Sequence, residues 1–501
     1  MGQGTAFSLS YRRRTMSDIS FARRIGELAL ERPDEWAFTY VAADGSEPSF
    51  SWPDLHGRSS LLAGALAERG LGLGDRLGIG LQNSPQFVLA AFAAWKLGAV
   101  PVPMRWDLPE WELSRLREAI DGKVSLGEED LAWIDAIVGG RGDIPELADV
   151  TSPQSNGICS SGSTGLPKVI VSNRPGVFEP ALTTPFAEQW GRRIPRPQTV
   201  LVLGPMYHLN GFYGLFNLIA GDRLVVLSYF DAARAVEAIE NQRVSTFYCT
   251  PTMLKRMADL PGIDDRDLSS IEWMCQGAAP MPPYLVHRWA KLVGPDRLIM
   301  AYGMSEGLGI TAIRADEWMA HEGSVGRPAR DTQVRVLDAD GKDAAPGEVG
   351  EIYMRSALYG GSTYLGAGQP KATAEGLCTV GDVGYLDEDG FLYLVDRRVD
   401  LIISGGANVY PAEVEIALMD HPKVADVVVV GVKDEEWGRR VHAIIEAADP
   451  SDPPTFEEVR AYAKDRLSPY KVPKSIEIVD AIPRSAATKV NRGALLAARG
   501  G

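Results

Sequence analysis

At 501 residues the chain is too long for one compact core, so two or more domains are expected, each able to bury a core without disulfide staples. A formal charge of -15 argues against broad nucleic-acid binding, which needs a basic face to neutralise phosphates, while the 45% hydrophobic fraction suits a soluble enzyme. The four cysteines, Cys159, Cys249, Cys275 and Cys378, are widely spaced with no CxxC pair, which points to reduced thiols rather than disulfides or zinc.

Residues 1–15 read as a disordered lead-in, with Met16 a candidate alternative start. Arg12, Arg13 and Arg14 are followed by Asp18, Arg23 and Arg24 rather than an apolar segment, so no signal peptide is expected. Ala6 stands where myristoylation wants Ser or Thr, and no apolar run is long enough to span a bilayer. A cytoplasmic protein without membrane insertion is therefore expected.

Helical and strand patterns then alternate, the mark of an α/β fold with largely parallel, buried sheets. A helix over 84–97 places Phe87, Val88, Ala91, Phe92 and Trp95 on one face and stops at Gly98. The stretch 159–168, CSSGSTGLPK, follows. Gly162 and Gly165 can take positive φ, so that backbone N–H groups converge on an anion, while Ser160, Ser161, Ser163 and Thr164 add donors and Lys168 adds a charge. It is not a Walker A loop, because its glycines are too close and Val169 follows the lysine. Its residues alone leave two readings open, a polyphosphate clamp or a flexible Ser/Gly surface loop. Val169, Ile170 and Val171 read as the strand after it.

Strands are expected over 199–203, 224–227, 246–248, 271–275 and 298–300, with helices over 209–220 and 231–241. The carboxyl ends of such strands are where open α/β sheets bind ligands. Gly277, Ala278, Ala279 and Pro280 form a loop poor in side chains, suited to a flat ring or to a plain strand-to-helix turn. Tyr302, Gly303, Met304, Ser305 and Glu306 offer an aromatic face, a hydroxyl and a carboxylate for a purine, a phosphate and Mg²⁺, although a lone Tyr is more often core. Asp382 and Arg397 suit ribose hydroxyls, and Asp387 and Asp389 read as a solvated hairpin tip.

After Asp396 the texture changes to a small α+β domain, with strands over 424–432 and 441–446 and helices opening at Pro411 and Thr455. Thr455 and Glu458 have capping-box spacing. The charged run 396–400 is a candidate hinge, and Lys489 sits in a small-residue loop, where a lysine is otherwise merely solubilising.

In order, SSGSTGLPK, PMYHLNG at 205–211, YGMSE, GSVGRP at 323–328, GDVGYLDEDG, DRRVDLIISGGANVYPAEVE and PRSAATKVNR resemble the motifs of the adenylate-forming superfamily, which includes acyl-CoA synthetases, nonribosomal-peptide adenylation domains and luciferases. The resemblance spans nearly the whole chain. It implies a large N-terminal α/β domain of several subdomains over 16–396, a hinge over 397–400 centred on Val399, and a smaller mobile α+β domain over 401–501. It further implies that Ser160, Ser161, Gly162, Ser163, Thr164, Gly165 and Lys168 hold the phosphates of ATP, and that Glu306 and Thr164 bind Mg²⁺. Ser305 would touch phosphate, Tyr302, Gly303 and Met304 with Gly277, Ala278 and Ala279 would enclose adenine, and Asp382 and Arg397 would hold ribose. Lys489 would reach the carboxylate and α-phosphate, and Ser404, Gly405 and Gly406 would line the path of coenzyme A. His208 would be the gate of an acyl pocket that includes Gly211, Phe212, Tyr248, Gly277 and Gly303, with Phe247, Cys249 and Gln276 nearby.

The implied activity is an ATP-dependent carboxylic acid:CoA ligase working through an acyl-adenylate, for a neutral acid with an apolar, bulky cyclic or fatty body. PMYHLNG lacks the aspartate that pairs with an amino group in amino-acid-activating relatives, and no carrier domain follows Gly501, so a free-standing acyl-CoA synthetase is expected; a monomer or homodimer is the expected assembly. A ligase loading carrier-protein pantetheine and a non-catalytic nucleotide-binding homologue are the alternatives. Three features depart from the family pattern: Val399 where Asp or Lys is usual, Thr488 where glycine precedes the lysine, and a short segment over 104–151.

Overall fold

The structure is a computed structural model that describes residues 19–108, 110–140, 143–161, 167–365, 368–397, 402–404, 407–434, 437–484 and 490–499. Its largest element is a nine-stranded sheet. In spatial order the strands are Arg327–Pro328, Ile310–Arg314, Leu298–Gly303, Met274–Gln276, Thr246–Cys249, Thr199–Val202, Arg223–Leu227, Trp36–Val41 and Ser49–Ser51. From Leu298–Gly303 to Trp36–Val41 every pairing is parallel. Such strands are covered on both faces, which is why they read as short unbroken apolar runs such as Leu224 to Leu227. One face packs against a core that includes Phe212, Trp95 and Phe216, and the other against Phe247, Met253 and Trp289.

The largely parallel expectation holds for this centre and for the three-stranded sheet of Arg76–Ile79, Val100–Pro103 and Val124–Leu126, and it fails at the edges and in the antiparallel sheets. The edges of the large sheet are antiparallel, as is the four-stranded sheet of Gln333–Leu337, Gly350–Arg355, Cys378–Leu386 and Leu392–Arg397. Gly157–Ser161, Pro167–Ser172 and Ser362–Leu365 form a further antiparallel sheet. Antiparallel strands can be joined by short turns, and the hairpin tip at Asp387 shows it, its carboxylate accepting from the N–H groups of Asp389 and Phe391.

The helix expected over 84–97 runs Pro85–Lys96, with the Ser84 hydroxyl accepting from Phe87 N at 3.1 Å. It is not one-faced: every residue from Phe87 to Lys96 is buried, because neighbouring helices and the sheets enclose it. The helix expected over 209–220 divides into Leu209–Phe212 and Gly214–Ile219. The strand expected over 298–300 continues through Gly303, pairing Tyr302 with Thr311 and Gly303 with Ile310, and the strand expected from 271 begins at Met274.

The smaller C-terminal unit has five strands, with Gly438–Ala447 lying between Val424–Asp434 and Ser475–Val479. Its valine run is explained by burial of both faces. Val427, Val429 and Val441 pack under the helices Pro411–Met419 and Phe456–Lys464, and Val428, Val430 and Ile444 pack against Ile482 and Leu495. The helix Arg492–Ala497, which carries Leu495, was not apparent in the sequence because six residues hold too little periodicity. The Thr455–Glu458 capping box forms as expected. The hinge Val399 lies outside the described residues. No described helix is long and apolar enough to cross a membrane.

Candidate active site

The antiparallel strands Gly157–Ser161 and Pro167–Ser172 place Ser160 opposite Lys168 and Ser161 opposite Pro167. The stretch 162–166 therefore connects the ends of a two-stranded ribbon. Gly162, Ser163, Thr164 and Gly165 lie outside the described residues. Cys159, next to Ser160 on this ribbon, is partly buried, and desolvation pushes its thiol up to about 12, so it stays protonated at neutral pH.

Two strand ends of the large sheet meet beside this ribbon. The buried Gln276 amide donates to Gly277 O at 3.1 Å and to Ala279 O at 2.7 Å, fixing a loop in which Ala278 takes φ +72°. A non-glycine residue in that left-handed region is strained, and Gln276 is what holds it there. On the adjacent strand the Tyr302 hydroxyl donates to Asp382 Oδ2 at 2.6 Å. Asp382 is paired with Arg397 in the register of their hairpin, so both proposed ribose ligands sit at one strand end next to the aromatic ring.

Three residues beyond Gly303, the Glu306 carboxylate accepts from the Tyr364 hydroxyl at 2.6 Å, and the Glu306 carbonyl accepts from Ser362 Oγ at 2.8 Å. Burial, and then the hydrogen bond to Glu306, raise the Tyr364 pKa, so the phenol stays a neutral donor. Tyr364 pairs with Ile170 across the ribbon sheet, which brings Glu306 to the strand that follows the serine-glycine stretch. Among the described residues no group of three or more His, Cys, Asp or Glu side chains could hold a metal alone. Glu306 still fits Mg²⁺, which is commonly held by one or two carboxylates together with the phosphates of its nucleotide.

The PMYHLNG segment follows the strand Thr199–Val202. The buried Asn83 amide donates to Gly204 O and Leu227 O and accepts from Met206 N at 2.7 Å, so it fixes the segment from another chain region. A Cβ at Gly211 would stand 2.4 Å from Pro205 O, so only glycine fits the turn that brings His208 to the helix start. The His208 ring lies 4.6 Å from that of Tyr207.

The structure divides the expected acyl-pocket residues. Tyr248 is half-buried, its ring 5.4 Å from Tyr213 and 5.7 Å from Trp273. Strand alternation puts Tyr248 on the face that, two strands on, carries Ala301 and then Gly303, while Phe247 and Cys249 point into the opposite core. Phe212 is likewise misplaced by the sequence reading. It is fully buried, its ring 6.0 Å from Trp95 and 5.9 Å from Phe216, and so belongs to the core rather than to an accessible wall.

In the C-terminal unit Ser404 is buried where its strand meets Gly438, while Gly405 and Gly406 lie outside the described residues. Lys489 and Thr488 also lie outside them, as do the side chains of Ser160, Ser161, Lys168 and Arg397. The base of the lysine loop is described. Arg484 bridges to Val490, and its guanidinium holds the Asp426 carboxylate through Nε at 2.6 Å and Nη2 at 2.7 Å.

Asn83 and Tyr364 were missed by sequence reasoning, because each acts on a segment more than fifty residues away and carries no local signature.

The model of the family described as "AMP-binding enzyme" matches residues 27–154 and 156–364, and that of the "AMP-binding enzyme C-terminal domain" matches residues 413–489. The chain is 32% identical over 449 residues to 2-succinylbenzoate–CoA ligase of Bacillus licheniformis, covering 86% of this chain and 91% of that one. It is 30% identical to the fatty acid–[acyl-carrier-protein] ligase ScoC of Streptomyces coeruleorubidus, covering 89% and 90%. Among solved structures, o-succinylbenzoate CoA synthetase from Bacillus subtilis with its acyl-adenylate intermediate superposes with a TM-score of 0.81 at 27% identity, covering 94% of this chain and 97% of that one. The same enzyme with ATP and a magnesium ion gives 0.80 at 26% identity, covering 94% and 98%.

Proposed function

This chain belongs to the AMP-binding enzyme family and is an AMP-forming acid–thiol ligase, and we propose that it joins an aryl or fatty carboxylic acid to coenzyme A in the cytoplasm. The observation that carries this reading is the nucleotide corner. The Tyr302 ring, the Asp382 carboxylate and Glu306 converge at one sheet edge, beside the strand that leaves the serine-glycine loop.

A carboxylate is a poor acyl donor because its leaving group would be oxide. One of its oxygens therefore attacks the α-phosphorus of ATP, the bond to the β-phosphate oxygen breaks, and pyrophosphate leaves. Tyr302 and Asp382 hold the adenosine while Lys489 stabilises the charge that builds as the two anions approach. Mg²⁺, when bound with ATP at Glu306, would neutralise phosphate charge. A thiolate then attacks the acyl carbon and AMP departs with the electron pair. Lys489 blocks the thiol's approach in the first arrangement, so rotation of the C-terminal unit about Val399 separates the two half-reactions.

ATP–pyrophosphate exchange with a panel of carboxylic acids, followed by thioester formation with CoA, is the test. Acid-dependent exchange and a thioester are expected. Absence of exchange with every acid of the panel would sink the reading and leave a non-catalytic nucleotide-binding homologue. The similarity to ScoC favours one second reading, transfer to carrier-protein pantetheine; exchange without a thioester at millimolar CoA would select it. Lys489→Ala should lower adenylation by roughly a hundredfold to a thousandfold and spare thioester formation from supplied acyl-adenylate. Equal loss of both half-reactions would contradict the rotation.

A further inference from the structure

The nucleotide corner sits at the carboxyl ends of the parallel strands, and a cavity of about 330 Å³ opens at the opposite edge of the same sheet. It lies where Thr199–Val202, Arg223–Leu227 and Trp36–Val41 begin and Ser49–Ser51 ends. These strands are neighbours in the sheet, so widely separated segments of the chain meet around the cavity. Thr199 pairs with Arg223, Phe38 with Leu224 and Trp36 with Ser51, which brings Gln198, Arg223 and Trp52 to one edge.

All three of these lining side chains carry an N–H that has no acceptor among the described residues. Trp52 is 1% exposed and Gln198 2%, yet neither Trp52 Nε1 nor Gln198 Nε2 donates to anything. Arg223 Nη2 donates to Thr39 Oγ1 at 2.9 Å and to Gln242 Oε1, while its Nε is buried and unpartnered. Arg223 forms no ion pair with a carboxylate among the described residues; Glu47, whose charge acts on it, accepts from Gln242 Nε2 at 2.6 Å instead. A donor withdrawn from water without an acceptor carries its full desolvation penalty, and such groups are rare in folded proteins. Three of them around one cavity call for an acceptor that the chain does not supply.

The rim has the opposite character. Asp34, Glu35 and Trp36 line the same cavity and are exposed, the indole by 51%. Glu35 comes within 3.9 Å of Arg32, which donates to Gly221 O at 2.8 Å, but Asp34 makes no ion pair among the described residues. An acid beside an exposed indole suits an ammonium group, which the carboxylate attracts by charge and the ring by its electron-rich face. The buried wall therefore offers an unneutralised guanidinium with two further N–H donors, and the rim offers an unpaired acid with an aromatic surface.

We propose that this cavity is a binding site for a small ammonium carboxylate, a free α-amino acid in its zwitterionic form. Its carboxylate accepts from Trp52, Gln198 and Arg223, and its ammonium group lies toward Asp34 and the Trp36 ring. The terminal torsion of Gln198 is soft, so its amide turns to the ligand at little cost. A simple carboxylate would meet the rim acids without a compensating charge, and a phosphate dianion would be repelled more strongly, so the rim selects against both. Because the cavity lies at the amino edge of the sheet, its occupant is not the acid that is adenylated, and the inference stands apart from the ligase reaction proposed above.

The test titrates the full chain calorimetrically with L-phenylalanine and L-leucine, with 3-phenylpropanoate, which lacks the ammonium group, and with 2-phenylethylamine, which lacks the carboxylate. The amino acids should bind, and the amine should bind more weakly than L-phenylalanine by roughly tenfold to a hundredfold. Gln198→Leu should weaken amino-acid binding by roughly tenfold, and Asp34→Asn, which removes an exposed charge, by roughly twofold to fivefold. In the ligand-free protein Gln198→Leu should not lower the unfolding midpoint, because it removes a donor that the fold leaves unpaired. A lowered midpoint would mean that a partner such as a buried water already satisfies the amide, and would overturn the proposal. Failure of both amino acids to bind, equal binding of 3-phenylpropanoate, or binding unchanged in both variants overturns it as well. Acid-dependent ATP–pyrophosphate exchange should stay at the wild-type level in both variants; loss of exchange in the wild type bears on the ligase reading alone.

Discussion

Tyr302 and Asp382 lie eighty residues apart in the chain and share a hydrogen bond of 2.6 Å, so the ring assigned to adenine and the carboxylate assigned to ribose are one unit. A bond from a phenol to a carboxylate is charge-assisted, and it positions the acid without occupying both of its oxygens. Tyr302→Phe keeps the aromatic face and removes this bond. The expected result is a rise in KM for ATP of roughly fivefold to thirtyfold with kcat less affected, read in steady-state exchange at saturating acid. An unchanged KM would show that Asp382 is positioned by other groups.

Tyr364 performs the equivalent service for Glu306. Its hydroxyl reaches the carboxylate at 2.6 Å from a strand that pairs with Pro167–Ser172, so the carboxylate is held against the ribbon that flanks the serine-glycine stretch. Tyr364→Phe should raise the magnesium concentration that gives half-maximal exchange, and excess magnesium should restore much of the rate. A loss of rate that magnesium does not restore would assign Tyr364 to folding instead.

How much of this was legible in the sequence depended on the range over which each residue acts. The types of Tyr302, Glu306 and Asp382, and the glycine at 211, are dictated by chemistry or by sterics at the position itself, so motifs carry them. Asn83 works across 121 residues to Gly204 and 144 to Leu227, and no local pattern encodes that partnership. Phe212 was misread because its motif neighbours His208, yet the first turn of the Leu209–Phe212 helix directs it into the aromatic core. The helix Pro85–Lys96 was read as one-faced because alternation of large and small residues imitates amphipathicity; alanines on its far side are buried against neighbours.

The loop that carries Lys489 is anchored on one side by the bidentate pair of Arg484 and Asp426. Both side chains are mostly withdrawn from solvent, so removing the acid takes the bidentate carboxylate from the guanidinium at the base of the stretch that carries Lys489. Asp426→Ala should lower the adenylation half-reaction by roughly tenfold to a hundredfold through misplacement of Lys489. Thioester formation from supplied acyl-adenylate should change far less. Equal losses in both halves would mean that the pair supports the whole C-terminal unit rather than the loop.

Lys96, at the end of the helix Pro85–Lys96, is a lysine withdrawn from solvent. It is 4% exposed and donates to Ser60 Oγ at 2.7 Å, to His56 O at 3.0 Å and to His56 Nδ1 at 3.0 Å. Burial lowers its pKa from 10.5 to about 7, and burial followed by the Lys96 charge lowers that of His56 from 6.5 to about 4. In the unfolded chain Lys96 keeps its proton up to about pH 10.5, whereas the fold releases it near 7, so across that window the unfolded state binds more protons and stability rises with pH. His56 has the same sign at lower pH: between 6.5 and about 4 the unfolded state takes up protons first, so acidification through that range costs stability. Lys96→Met removes the first titration and the charge that adds to the second. Urea unfolding from pH 5 to 9.5 should show the wild type gaining up to about 1.4 kcal/mol per pH unit from this residue above pH 7, a slope the variant lacks. Below pH 6.5 the variant should lose less on acidification, because His56 regains part of its ordinary pKa. Parallel pH profiles for the two proteins would mean that Lys96 stays protonated inside the helix pair at neutral and alkaline pH.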